Sequence, residues 1–198
     1  MPHLVPLLIR GINNLSDARY CAGMGADKLT FILDPNLPGA LDSKAVKELA
    51  GWIAGVELIG EFDQLTAPEI NTIAADCALD AVLIRQPRSE AELAEIAPPV
   101  YLELAVGAVA INSYLPDSPI GLVVELEEPL TTETLNYLAE IAAHRPLWLG
   151  PGLNPAQARE LVNLLPLAGI VLPSGDEVKP GLRDFDQLEA VFEALEID

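Results

Sequence analysis

Short apolar runs of strand character alternate with stretches of helical spacing from one end of this chain to the other. That alternation predicts parallel βαβ units, because parallel neighbours need a crossover that hairpins and helical bundles lack. The strand-like runs are Leu4–Ile9, Lys28–Leu33, Val56–Ile59, Ala81–Ile84, Val100–Ala105, Gly121–Leu126, Pro146–Leu149 and Gly169–Leu172. Between them Ser16–Gly23, Ser43–Ala50, Ala67–Cys77, Ser89–Ile96, Thr131–His144 and Asn154–Leu165 read as helices, and Asp184–Leu195 as a closing one. Ser16, Ser43, Ser89, Thr131, Asn154 and Asp184 mark the helix starts, since each side chain can accept from first-turn N–H groups. Ser89 with Glu92 has capping-box spacing. The fifth unit departs from the pattern. Val106–Ser118 has little helical periodicity and ends among prolines, so its helix is expected to be short or irregular.

Eight repeats in 198 residues are just enough to close a (β/α)8 barrel. An open doubly wound sheet is the rival, but no GxGxxG follows the first strand to support it. With 51% apolar residues the chain can bury one sizeable core, and residues 1–198 are expected to form a single α/β domain. The formal charge of −19, with 11 scattered Lys and Arg, argues against nucleic acid as a partner. Apolar runs stop well short of the ~20 residues of a membrane helix, so neither a membrane span nor a secretory leader is expected. Cys21 and Cys77 lie in alanine-rich helical patterns, with no CxxC or Cys/His cluster for a metal. A cytoplasmic protein without metal or cofactor is the expectation.

The opening "LIRGINNLSDARYCAGMGADKLTFIL" and the closing "PLWLGPGLNPAQARELVNLLPLAGIVLPSGDEVKPGLRD" resemble the phosphoribosylanthranilate isomerase family. Its pattern runs KICGI, a polar turn, an EDA-containing helix and GAD at one end, with GGLNP and SSGVE-x-x-PGKKD at the other. "LDAVLIRQPRSE" aligns with the family's DAVQLHG at strand four, so the likeness spans nearly the whole chain. The resemblance implies a TIM barrel. It also implies an Amadori rearrangement in tryptophan biosynthesis, in which a general acid opens an aminoaldose ring and a general base removes the C2 proton. In the family the base is the cysteine of KICG and the acid an aspartate ending strand six. Here those positions hold Arg10 and Glu125.

A guanidinium stays protonated and has no lone pair to offer, so Arg10 cannot take the base's role. Glu125 can donate a proton, but its extra methylene displaces the carboxyl by about an ångström, a misplacement that can cost ~100-fold. Arg85 stands where the family has the histidine of QLHG, and "DPNLPGALDS" replaces its SPR segment. The family's phosphate site uses the turns after strands seven and eight, matched here by Gly152, Asn154, Ser174 and Gly175. Pro151 and Pro173 remove two N–H donors there, and Asp176 adds negative charge, so weak phosphate binding is expected.

Strand ends of a parallel barrel meet at a common mouth, which can bring Arg10, Glu61, Arg85, Glu103 and Glu125 together. Glu103, flanked by apolar residues in "VYLELAV", is expected to face the interior and to need a cationic partner. Arg10 is expected to pair with Glu125 or Glu103. Two readings of such a mouth stay open. One is a site where Arg10 and Arg85 hold a small polar or anionic metabolite and Glu125 or Glu103 does proton chemistry. The other is a mouth filled by ion pairs in a scaffold or regulatory protein, as monomer or homodimer. His3 is expected at the surface, His144 at a helix C-terminus, and Trp52 and Trp148 in packing roles.

Overall fold

The computed structural model describes residues 2–105, 115–126, 130–174, 176–179 and 182–197. Eight parallel strands close into a barrel in chain order: β1 Leu7–Arg10, β2 Lys28–Ile32, β3 Glu57–Phe62, β4 Ala81–Ile84, β5 Val100–Ala105, β6 Gly121–Glu125, β7 Leu147–Leu149 and β8 Gly169–Pro173. The closure is β8 against β1, with Leu7 opposite Ile170 and Arg10 opposite Pro173. Among the described residues the helices are α1 Leu15–Gly23, α2 Ser43–Ala50, α3 Ala67–Cys77, α4 Glu90–Ala94, α5 Thr132–His144, α6 Pro155–Leu164 and α7 Asp186–Leu195.

The alternation of the sequence is thus the alternation of the fold, with local shifts. β1 begins at Leu7 instead of Leu4, which is exposed, and β3 continues to Phe62. The caps of α1 and α2 are Asn14 and Asp42, not Ser16 and Ser43; each carboxamide or carboxylate oxygen accepts from a backbone N–H three residues on. Ser89 and Glu92 form the expected capping box, and Asn154 forms another with Gln157. A short antiparallel ribbon, β9 Asp176–Lys179 with β10 Leu182–Asp184, takes in Asp184, the expected helix start, so that α7 begins at Asp186 with Phe185 at its N-cap position. The expected irregular fifth helix falls largely on residues 106–114, outside the described residues.

Burial follows the two periodicities. In α7, Leu188, Val191, Phe192 and Leu195 share one helical face and are buried against the barrel. Each fully buried leucine or phenylalanine of this kind contributes about 1.5–3 kcal/mol. Alternate strand residues, among them Leu8, Ile59, Leu83, Val123 and Val171, form a second buried cluster inside the barrel. Tyr101 and Trp148 belong to it and meet edge to face, their ring centroids 5.9 Å apart. Gly121 and Gly169, first in their strands, leave space for these rings; a Cβ on Gly121 would sit 2.9 Å from Tyr101, and one on Gly169 would overlap Trp148. Trp148 is therefore a packing residue, whereas Trp52 is 65% exposed with the Arg19 guanidinium over its ring.

The interior is layered along the barrel axis. Lys28, Tyr101 and Trp148 lie toward the N-terminal ends of the strands, the aliphatic cluster fills the middle, and the charged strand-end residues lie at the C-terminal ends. The aliphatic layer separates two polar regions. No described helix is long and apolar enough to cross a membrane.

Candidate functional site

Four charged side chains meet inside the C-terminal end of the barrel. Arg10 ends β1 on the same face as Leu8, and its guanidinium reaches across the interior to β3 and β5. Nε donates to Glu61 Oε1 at 3.1 Å, and Nη2 donates to Glu61 Oε2 at 2.6 Å. Nη1 donates to Glu103 Oε1, and Nη2 also reaches Glu103 Oε2 at 3.2 Å. Both carboxylates are thus gripped by one fork, the geometry for which arginine is suited. Arg85, just past β4, completes the group, its Nε 3.3 Å from Glu103 and its Nη1 3.9 Å from Glu61.

Two guanidinium and two carboxylate groups leave the quartet neutral. Side-chain exposure is 2% for Glu61, 8% for Glu103, 10% for Arg10 and 33% for Arg85, so Arg85 forms the outer side. Thr30 donates its hydroxyl to Glu61 and accepts from the Gly11 N–H at 3.0 Å, fixing the turn after β1 to the cluster. Burial pushes the Glu61 carboxyl up, but the Arg10 and Thr30 hydrogen bonds and the two guanidinium charges outweigh it and hold it below the usual range. For Arg10 burial works against the charge, and Glu61 and Glu103 more than restore it, raising its pKa. The guanidinium at this position is locked in its protonated form.

Of the two partners expected for Arg10, Glu103 is the one it pairs with, and Glu61 is a second partner that was not expected. Glu125 lies level with Ala105 in the β5–β6 register, two residues above the level of Glu103. That places it about 6–7 Å further toward the mouth. Among the described residues, no hydrogen bond or ion pair joins it to the quartet. Glu61 was among the residues expected at the mouth, but its role as the main partner was missed. A signal was present, since Glu57, Ile59 and Glu61 alternate in "ELIGEF" and put both glutamates on the interior face.

Of the residues matched to a phosphate site, Asn154 caps α6, its side chain accepting from the Gln157 N–H. Ser174 donates its hydroxyl to the Gly11 carbonyl at 3.1 Å, and its N–H to the Arg10 carbonyl. Gly152 follows Pro151 in the turn after β7 with φ +105. Gly175, and the side chains of Lys179 and Arg183, lie outside the described residues. Asp34, unremarked in the sequence, is buried and accepts from the backbone N–H groups of Asn36, Asp63 and Gln64, tying the loop after β2 to the loop after β3. His144 donates from Nδ1 to the Glu140 carbonyl at 3.0 Å near the end of α5, as its position suggested, while His3 is half-buried beside Phe192. Among the described residues no group of three His, Cys, Asp or Glu is placed to hold a metal. A cleft of about 450 Å3 opens at the same end, but the loops after β3 and β4, with the start of α3 and Glu92 of α4, line it in place of the quartet.

No family model matches the chain. Curated relatives do: it is 26% identical over 200 residues to the N-(5'-phosphoribosyl)anthranilate isomerase of Deinococcus radiodurans, covering 96% of each chain. It is 28% identical over 218 residues to that of a Synechococcus strain, covering 94% of this chain and 88% of the relative. The crystal structure of the Thermus thermophilus enzyme superimposes with a TM-score of 0.80 at 21% identity, over 96% of this chain and 98% of the other. Another phosphoribosyl anthranilate isomerase, with a TM-score of 0.75 and 19% identity over 96% and 98% of the two chains, was solved with reduced 1-(O-carboxyphenylamino)-1-deoxyribulose 5-phosphate. The resemblance therefore extends over nearly the whole chain, and the barrel is the one these isomerases share.

Proposed function

We propose that this barrel, similar from end to end to the phosphoribosylanthranilate isomerases, no longer performs their proton transfer at the end of strand one and works as a non-catalytic module. The observation that carries this reading is the commitment of Arg10 to Glu61 and Glu103. A base must accept a proton, and a buried guanidinium hydrogen-bonded to two carboxylates has none of the required lone pairs. The carboxylates do not substitute for it, because each accepts from arginine and together they neutralise the quartet. Cys21 does not replace the base either, since it is wholly buried in α1, beyond the strand end. The fold is that of the isomerases, and the four charges of the quartet satisfy one another.

A second reading retains proton chemistry, and one arrangement favours it. Glu125 stands above the quartet without being bound to it, and Arg85 is one-third exposed beside it, so an anionic metabolite could meet both a guanidinium and a carboxyl. The two readings separate in a fluorescence assay of phosphoribosylanthranilate isomerisation. The purified protein is expected to show no turnover above the uncatalysed background. Turnover in the ordinary range of enzymes, about 1–1000 per second, would mean that another group serves as base and that the non-catalytic reading is wrong.

A further inference from the structure

The loop after β3, residues 63–66, is gripped from both sides by charged side chains of the neighbouring loops. On its amide side stands Asp34, from the loop after β2. Asp34 Oδ2 accepts from the N–H groups of Asp63 at 2.9 Å and Gln64 at 2.8 Å, with that of Leu65 at 3.4 Å. Its Oδ1 accepts from the N–H and the side-chain amide of Asn36, both at 2.9 Å, so its own loop is tied to the same carboxylate. On the carbonyl side stands Arg88, from the loop after β4. Arg88 Nη2 donates to the Asp63 carbonyl at 3.0 Å and to the Leu65 carbonyl at 2.7 Å, and Gln86 Nε2 donates to the Asp63 carboxylate at 3.2 Å. Asp34 is fully buried. Burial pushes its carboxyl up, but the N–H groups of Asn36, Asp63 and Gln64 outweigh it and hold the carboxyl below the usual range.

The gripped segment connects two members of the quartet. Glu61 stands just before it on β3, and Arg85 opens the loop that carries Arg88, its own N–H donating to the Phe62 carbonyl at 2.9 Å. Arg85 is also the member held least by the quartet itself. Arg10 donates through all three of its nitrogens, whereas the partly exposed Arg85 guanidinium makes ion pairs at 3.3 Å and 3.9 Å. Its place over the carboxylates therefore depends on the backbone that carries it. The cleft of about 450 Å3 lies against the same two loops and gives a released loop room to move.

We propose that Asp34 and Arg88 form a two-sided latch on the loop after β3, and that the latch holds Arg85 over Glu61 and Glu103 and so keeps the quartet complete. Both are positioning residues: among the described residues neither is bonded to Arg10, Glu61, Arg85 or Glu103. The loop lies between them, so releasing either side loosens what the other holds. The latch deepens the non-catalytic reading by naming what keeps its charge cluster shut, and it rests on that cluster.

Hydrogen exchange in the full-length 15N-labelled protein tests this, read at the amides of Asp63 and Gln64 and at the Nε–H groups of Arg10 and Arg85. Arg88→Met removes no hydrogen-bond partner of those amides or of Arg85, yet it should speed exchange at all three by about threefold to tenfold, the scale of one net hydrogen bond. Asp34→Asn turns an NH2 group toward N–H donors whichever way the amide is rotated, and it should speed exchange at Arg85, which Asp34 does not touch. The core amides of Val82 and Leu122 should keep their wild-type rates. Arg88 is partly exposed, so Arg88→Met decides the matter even where Asp34→Asn fails to fold. The inference fails if Arg88→Met leaves either the Asp63 and Gln64 amides or the Arg85 Nε–H at the wild-type rate. A wild type in which Arg10 Nε–H exchanges as fast as Arg85 Nε–H would overturn the quartet and the latch together. Isomerase turnover alongside the expected exchange changes would sink the non-catalytic reading and leave the latch standing.

Discussion

Replacing Arg10 with alanine is expected to lower the unfolding free energy by about 3–5 kcal/mol. The variant leaves Glu61 and Glu103 buried side by side with Arg85 alone to offset them, and Arg85 is one-third exposed at 3.3–3.9 Å from their oxygens. Removing one partner of a buried ion group costs far more than the group itself contributes, because the charges left behind keep their desolvation cost. Losing the Arg10 contacts should also raise the Glu61 carboxyl pKa, which they hold down. Urea denaturation measures the effect as a fall in midpoint at constant slope. A midpoint within error of the wild type would mean that the carboxylates are hydrated and that the cluster is not the closed arrangement described above.

Gly150→Ala is expected to be as damaging, at about 3 kcal/mol or more, or to prevent folding altogether. Gly150 leaves β7 with φ +127, a conformation that residues with a side chain rarely adopt. A Cβ at this position would overlap the backbone carbonyl of Val171 in the neighbouring strand β8. The backbone cannot swing aside as a flexible side chain would, since Gly150 N–H donates to the Val124 carbonyl at 3.1 Å and β8 closes the barrel against β1. Strain and overpacking then act together. Thermal unfolding followed by circular dichroism gives the result directly, and a melting temperature near that of the wild type would show that the strand β8 backbone can give way.

The barrel was legible in the sequence because periodicity is a local property. Runs such as Ala81–Ile84 and Val100–Ala105 coincide with strands, and Ser89, Thr131 and Asn154 cap helices as their spacing predicts. The site was legible in part for the same reason: strand-end residues of a parallel barrel must converge, and Arg10, Glu61, Arg85 and Glu103 do. Which of them bond was not legible. Pairing depends on the relative height of residues on strands that are distant in the chain, and register fixes that height. Glu125 stands above Glu103 only because Ala105 is its neighbour in β5. Lys28 escaped notice for a related reason, since a charged residue at a strand start looks solvated until the barrel closes over it between Tyr101 and Trp148. Trp52 shows the reverse error, a large aromatic expected to pack that instead lies exposed beneath Arg19.

Arg10, at the end of β1, is bound into a closed, self-neutralising cluster with Glu61, Glu103 and Arg85. Free-energy coupling between Arg10 and Glu103 measures this most directly, through a double-mutant cycle of Arg10→Met, Glu103→Gln and the combined variant, each unfolded in urea. A coupling of about 1–3 kcal/mol, with the double variant more stable than the sum of the single losses predicts, is the expected result. Losses that add to within about 0.5 kcal/mol would show that the two side chains act independently, and the closed cluster would have to be abandoned.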